Sequence, residues 1–182
     1  MSRIKSDLPG TFAPVQFGVG IRGGAENIVH GIRNKLSDNP NLHLVSLDLE
    51  NAFNNVSRQA FLDQVKDKFP NILCRVHQAY GAPSLLLPRG CDPIFSQAGV
   101  RQGDPLGPFL FALAIQPLLL DVSQLVTSVP YMDDLYLLGS SQNLSQAINT
   151  LRAGLRTRYL KINDVKSWTT TPLSLAPPNP CR

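Results

Sequence analysis

Cysteine is scarce in this sequence: Cys74, Cys91 and Cys181 are widely spaced among 182 residues and form no CxxC pair. Neither a disulfide framework nor a thiolate metal cage is encoded. Histidine is equally sparse, and His30, His43 and His77 lack any ligand spacing. No Ser, His and Asp stand together in a nucleophilic context. Charge is thin, with 16% charged residues and 17 Lys and Arg against 13 Asp and Glu, a net +4. That balance permits a polyanionic partner without demanding one. Long apolar runs are missing too. The longest, 109–120, is broken by Gln116 and Pro117 and falls short of the roughly 18–20 residues of a bilayer span, so no membrane partner is expected. Ser2, Arg3, Ile4 and Lys5 open the chain without the apolar core of a secretory signal, which sets an intracellular site as the expectation. No internal repeat is present.

What remains is 43% hydrophobic, enough for a core, at the size of one domain. Prolines crowd both ends, so residues 1–15 and 169–182 are expected to be disordered tails flanking an ordered 16–168. Ala25, Ile28, Val29, Ile32 and Leu36 recur at helical spacing and predict a helix over about 24–36. Residues 42–49, LHLVSLDL, alternate as a strand does. Ser57 is placed to cap a short helix with Phe61, Leu62, Val65 and Phe69 on one face. A loop-rich stretch follows over 81–99. Pro105 and Pro108 mark the start of a helix that is apolar on nearly every side, with Pro117 expected to bend it. Residues 127–132 and 135–138 read as a hairpin with Asp133 and Asp134 at its tip. Leu144, Ala147, Ile148, Leu151 and Leu155 predict another helix, and 159–162 a last short strand. Setting one helix and the loop aside, the order is strand, helix, strand, strand, helix, strand, which is the ferredoxin-like α/β (α+β) arrangement.

In that arrangement the third strand lies antiparallel beside the first. The end of the first strand, with Asp48, therefore meets the start of the third, with Asp133 and Asp134, across a strand spacing of about 5 Å. Carboxylates so placed repel one another unless their pKa values rise or a hard divalent cation intervenes. Mg²⁺ suits an all-oxygen site that keeps water and phosphates as its other ligands. A pair of such ions would hold an attacking hydroxyl and a leaving pyrophosphate in line, and the reaction this suggests is nucleotidyl transfer. Taken singly, each acid is as readily a turn or cap residue. Their flanks are more specific: Asp48-Leu-Glu-Asn-Ala-Phe53, then Gly99-Val-Arg-Gln-Gly-Asp-Pro-Leu106, then Tyr131-Met-Asp-Asp134 between apolar strands.

Those three motifs, in that order, resemble the palm of a reverse transcriptase, most nearly the non-LTR retrotransposon type, over about 16–168. The resemblance implies an RNA-directed DNA polymerase (nucleotidyltransferase) palm with a remnant of the fingers. It implies Asp48 and Asp133 as metal ligands with Asp134 beside them completing the catalytic, metal-binding acidic cluster, and two Mg²⁺ ions, with Mn²⁺ as a substitute. Phe53 matches the aromatic gate against a ribose 2′-hydroxyl, and Ala52 supplies a small side chain where backbone meets the triphosphate. Gln102 and Gly103 match the loop that contacts incoming nucleotide and template, with Arg101 beside them as a phosphate contact or an exposed ion pair. Tyr131 and Met132 precede the acids on the primer side, Met132 standing where small residues are commoner in this type. Lys166 resembles the lysine near the triphosphate that helps protonate the leaving group. Gly107 replaces a common serine. The segment Gln16–Leu36 resembles the stretch just before the palm, and its glycines do not have Walker-loop spacing.

Template RNA, a DNA primer and dNTPs are the implied partners. The expectation is a retrotransposon fragment without most of the fingers, the thumb and the endonuclease of such elements, and a nuclear location follows by analogy alone. Two other readings stand beside this one: a catalytically silent nucleic-acid-binding palm, and an RNA-templated RNA polymerase, against which Phe53 argues.

Overall fold

The structure is a computed structural model that describes residues 8–12, 15–90 and 92–170. Among them the helices are α1 (Leu8–Phe12), α2 (Gly24–Asp38), α3 (Ala52–Asn55), α4 (Arg58–Lys68), α5 (Pro70–Tyr80), α6 (Gly107–Ser123) and α7 (Ser141–Arg156). The strands are β1 (His43–Leu47), β2 (Ser84–Leu86), β3 (Ile94–Ser96), β4 (Thr127–Tyr131), β5 (Asp134–Gly139) and β6 (Trp168–Thr170). Four of these form an antiparallel sheet in the order β4-β5-β1-β6, and β2 and β3 pair apart from it as a hairpin. With β1, β4, β5 and β6 as first to fourth, that is the ferredoxin-like order the sequence predicts.

Alternation of side chains across the strands decides what faces where. Val45, Leu47, Leu135 and Leu137 are buried, whereas Ser46, Asp48, Asp134 and Tyr136 keep exposure. On the buried side lies α6, whose residues Phe109, Leu110, Phe111, Leu113 and Ile115 are nearly inaccessible. Each contributes about 1.5–3 kcal/mol by burial. Together they exceed the roughly 3 kcal/mol that an internal proline costs a helix, so α6 runs unbroken through Pro117.

The helix starts follow local chemistry. Ser57 Oγ accepts the Ala60 N–H at 3.4 Å, and Ser140 Oγ accepts the Asn143 N–H at 3.3 Å.

Three expectations need correction. The last strand is not 159–162. Tyr159 takes φ 60°, and Ile162 forms only an isolated bridge with Leu49. Asn163 Oδ1 then accepts the Val165 and Lys166 N–H groups in a turn, and the chain re-enters the sheet as β6, where Trp168, Thr169 and Thr170 pair with Ser46, Val45 and Leu44. Thr169 and Thr170, assigned to a tail, are therefore in the sheet. Likewise α1 lies in the expected N-terminal tail, with Phe12 buried edge-on against Phe109; residues 1–7, 13–14 and 171–182 lie outside the described residues. Finally, α5 was not expected. Pro70 begins it, and Val76 and Tyr80 are its buried face. No helix of the described residues is long and apolar enough to cross a membrane.

Candidate active site

The register of β1 on β5 positions the acids. Leu47 pairs with Leu135, so one further step places Asp48 opposite Asp134. Tyr131 pairs with Asp134, leaving Met132 and Asp133 as a two-residue loop in which Met132 takes φ 57°. Asp48 and Asp133 line one open cleft of about 450 Å³ with the 49–54 segment, Gln102, Asn163 and Lys166. Asp134 starts β5 and does not line the cleft, and its carboxyl is held above the ordinary carboxylate range by partial burial, then by the charges of Asp133 and Asp48. Tyr136 on the same face is pushed up by burial and by Asp134. The acids thus form one negative field, although among the described residues no three His, Cys, Asp or Glu side chains converge as a ready-made metal cage.

The backbone around Asp48 is tied to the turn after Ile162. Asn163 N–H donates to Asp48 O at 2.8 Å, and Asp48 N–H donates to Ser167 Oγ at 3.2 Å. That turn delivers Lys166, whose Nζ lies 3.9 Å from Asp48 Oδ2. Lys161 Nζ meets Glu50 Oε1 at 3.1 Å beside it.

Behind the acids, Ala52 is buried and Phe53 is half-buried, its ring stacked on Phe111 with centroids 4.5 Å apart. The stack fixes the Phe53 ring while leaving the residue on the cleft wall.

Gln102 reaches the cleft, whereas Arg101 does not. The Arg101 guanidinium donates to Ser84 Oγ at 2.6 Å, lies over the Tyr80 ring, and lines a neighbouring cavity of about 590 Å³ that shares Asn54 and Gln102 with the first. Gly103 takes φ 87° and lines a smaller cavity with Phe53 and Gln102. Tyr131 and Met132 stand at the hairpin outside the cleft lining.

Two features of this neighbourhood were not anticipated from sequence. Tyr80 Oη donates to Asp104 Oδ2 and accepts the Arg101 N–H at 3.1 Å, while Asp104 Oδ1 accepts the Leu106 N–H at 2.9 Å. Arg58, buried beneath the same loop, donates to Gly99 O, Ser96 O and Ser96 Oγ. These contacts hold the 99–106 loop from below. Tyr80 and Arg58 lie 21 and 41 residues from the loop atoms they bond, and neither carries a local sequence signal for that contact.

A four-stranded antiparallel sheet with an acid ending one strand, an Asp pair at the adjoining hairpin and helices on the far face is a nucleic-acid polymerase palm. The family described as reverse transcriptase (RNA-dependent DNA polymerase) matches residues 3–176, and the chain belongs to that family. The chain is 28% identical over 142 residues to the retrovirus-related Pol polyprotein from type-1 retrotransposable element R2 of Popillia japonica; the match covers 68% of this chain and 23% of that protein. Among solved structures, an apo telomerase from Candida tropicalis matches 93% of this chain and 35% of its own at a TM-score of 0.67 and 12% identity. A Candida albicans telomerase in complex with a fragment of telomeric RNA matches 81% of this chain and 31% of its own, at 0.62 and 13%. At such identities the likeness is one of fold.

Proposed function

We propose that this chain is the palm of an RNA-directed DNA polymerase, adding deoxynucleotides to a primer 3′-hydroxyl on an RNA template. The observation that carries the reading is the shared cleft: Asp48 and Asp133 face it together, with Ala52 and Phe53 on one wall and Gln102 and Lys166 beside them.

The donors fit hard divalent cations. Asp48 and Asp133 offer carboxylate oxygens in an open, polar cleft, and two protein carboxylates with water and substrate phosphates complete the coordination that Mg²⁺ prefers. Asp48 and Asp133 would hold the ions, with Asp134 adding field; Mn²⁺ would serve in their place. When bound, the metal pair supplies electrostatic stabilisation to the attacking and leaving oxygens of an in-line displacement.

The chain's own groups do the rest. Lys166 carries a positive charge to the Asp48 side of the cleft, where its Nζ can donate a proton to the departing pyrophosphate oxygen. The Phe53 ring, fixed by Phe111, excludes a 2′-hydroxyl. Ala52 leaves room beside the backbone for the triphosphate, and Gln102 with Gly103 places the nascent base pair.

The chain spans 23% of the length of its retrotransposon relative; a nuclear site of action is part of the proposal, by analogy with retrotransposons alone. Primer extension on an RNA template tests the reading. Wild type should extend with Mg²⁺ and stop with chelator, and Asp133→Asn should lower the rate by about 10² or more while retaining nucleic-acid binding. Binding without metal-dependent extension in the wild type would favour the silent module instead.

A further inference from the structure

The hairpin loop that carries Asp133 is only two residues long, and its geometry is set from outside. Gln16, 116 residues upstream, is completely buried, and its Oε1 accepts the Met132 N–H at 3.0 Å and the Gly18 N–H at 2.9 Å. One residue along, Phe17 N–H donates to Pro130 O at 3.0 Å on the strand leading into the loop. Gly18 then seats itself against the loop so closely that a Cβ there would lie 2.8 Å from Met132 Cγ and 3.0 Å from Met132 N. Three consecutive residues therefore clasp the tip from its backbone and its side chain at once.

The clasp answers a structural need. Met132 holds φ 57°, a conformation that non-glycine residues adopt at a cost and keep only where their surroundings impose it. Its N–H lies next to Asp133 in the chain and would otherwise turn to water. Among the described residues Gln16 Nε2 has no hydrogen-bond partner although it is buried, so the bonds this amide makes there all run through its oxygen.

We propose that Gln16 is a positioning residue that sets the height and orientation of Asp133 through the Met132 backbone, a role that rests on the polymerase reading of Asp133. Gln16 touches no reacting atom. It acts by holding the loop against Gly18, so its loss lets the Asp133 carboxylate wander from the position facing Asp48.

The test uses the full chain, with Gln16→Met, which keeps the volume and removes the acceptor, and Gln16→Glu, which keeps an acceptor oxygen. Amide hydrogen exchange by NMR should show the Met132 N–H exchanging at least about tenfold faster in Gln16→Met, with Leu135 and Leu137 amides unchanged. In primer extension, kcat should fall about tenfold to a hundredfold while KM for dNTP stays within about twofold, and Gln16→Glu should recover both readouts. Should Gln16→Met fail to fold, Gly18→Ala, which presses on Met132 from the other side, should give the same kcat loss at constant KM. Unchanged Met132 exchange in Gln16→Met, or a Gln16→Glu variant as impaired as Gln16→Met, overturns the proposal. A wild type that extends no primer would instead remove the polymerase reading, and Met132 exchange alone would then decide whether Gln16 holds the loop.

Discussion

Phe53 shows how one ring serves both the core and the cleft. Its stack on Phe111 would suit any buried aromatic, but the ring also forms part of the wall beside Asp48, five residues upstream. If it excludes the 2′-hydroxyl, exchange for a smaller residue should open space where the sugar sits without moving the acids. Phe53→Val is expected to lower the ratio of dNTP to rNTP efficiency (kcat/KM) by roughly 10- to 100-fold, mainly by raising rNTP use, as measured in single-nucleotide extension. An unchanged ratio would assign the ring to packing alone. At this scale the sequence is legible where chemistry and spacing coincide: Asp48, Phe53, Gln102 and Asp133 stand in motifs, and the structure brings them to one cleft. Gln16 and Tyr80 are not legible in that way. Each acts on a backbone N–H of a distant segment, Met132 for Gln16 and Arg101 for Tyr80, and backbone partners leave no mark in residue type.

Between elements, the decisive contact is the crossing of α3 with the loop before α6. Gly99 N–H donates to Val56 O and Val100 N–H to Phe53 O, each at 2.8 Å, so the loop is laced directly onto the segment that follows Asp48. Gly99 takes φ 71°, and a Cβ there would lie 2.2 Å from Asn54 O, a backbone atom that no rotamer change can move. Gly99→Ala should therefore cost roughly 2–5 kcal/mol, from left-handed strain together with overpacking, and lower the midpoint in urea accordingly. A loss below about 1 kcal/mol would mean that the two segments are free to separate. The strands and helices with clear periodicity, β1, α2, α6, the β4–β5 hairpin and α7, were readable from sequence. The edge strand β6 was not, because Trp168, Thr169 and Thr170 are all exposed and show no alternation to read. Leu160 and Ile162, which do look like a strand, are buried by a turn instead.

For the molecule as a whole, the acid cluster links stability to pH. Asp134 has its carboxyl raised by burial and by Asp133 and Asp48, so the native state holds that proton more tightly than the unfolded chain does. Stability contributed by this group is then greatest at low pH and declines as pH rises from the ordinary carboxylate range through the raised one. Asp164, held low chiefly by its hydrogen bond with Arg152, works in the opposite sense, losing its contribution as pH falls. The wild-type curve mixes the two, and the difference between wild type and Asp134→Asn isolates the cluster: the variant should have the higher Tm above that window and the same Tm below it. On the proposed reading, a divalent cation held by Asp48 and Asp133 would relieve the same repulsion. Mg²⁺ at a hundredfold excess over its Kd should stabilise the wild type by about 2.7 kcal/mol at neutral pH, seen as a rise in Tm by calorimetry. The rise should be lost in Asp133→Asn. An equal Mg²⁺ effect in wild type and Asp133→Asn would place the cation elsewhere and detach the acids from metal chemistry.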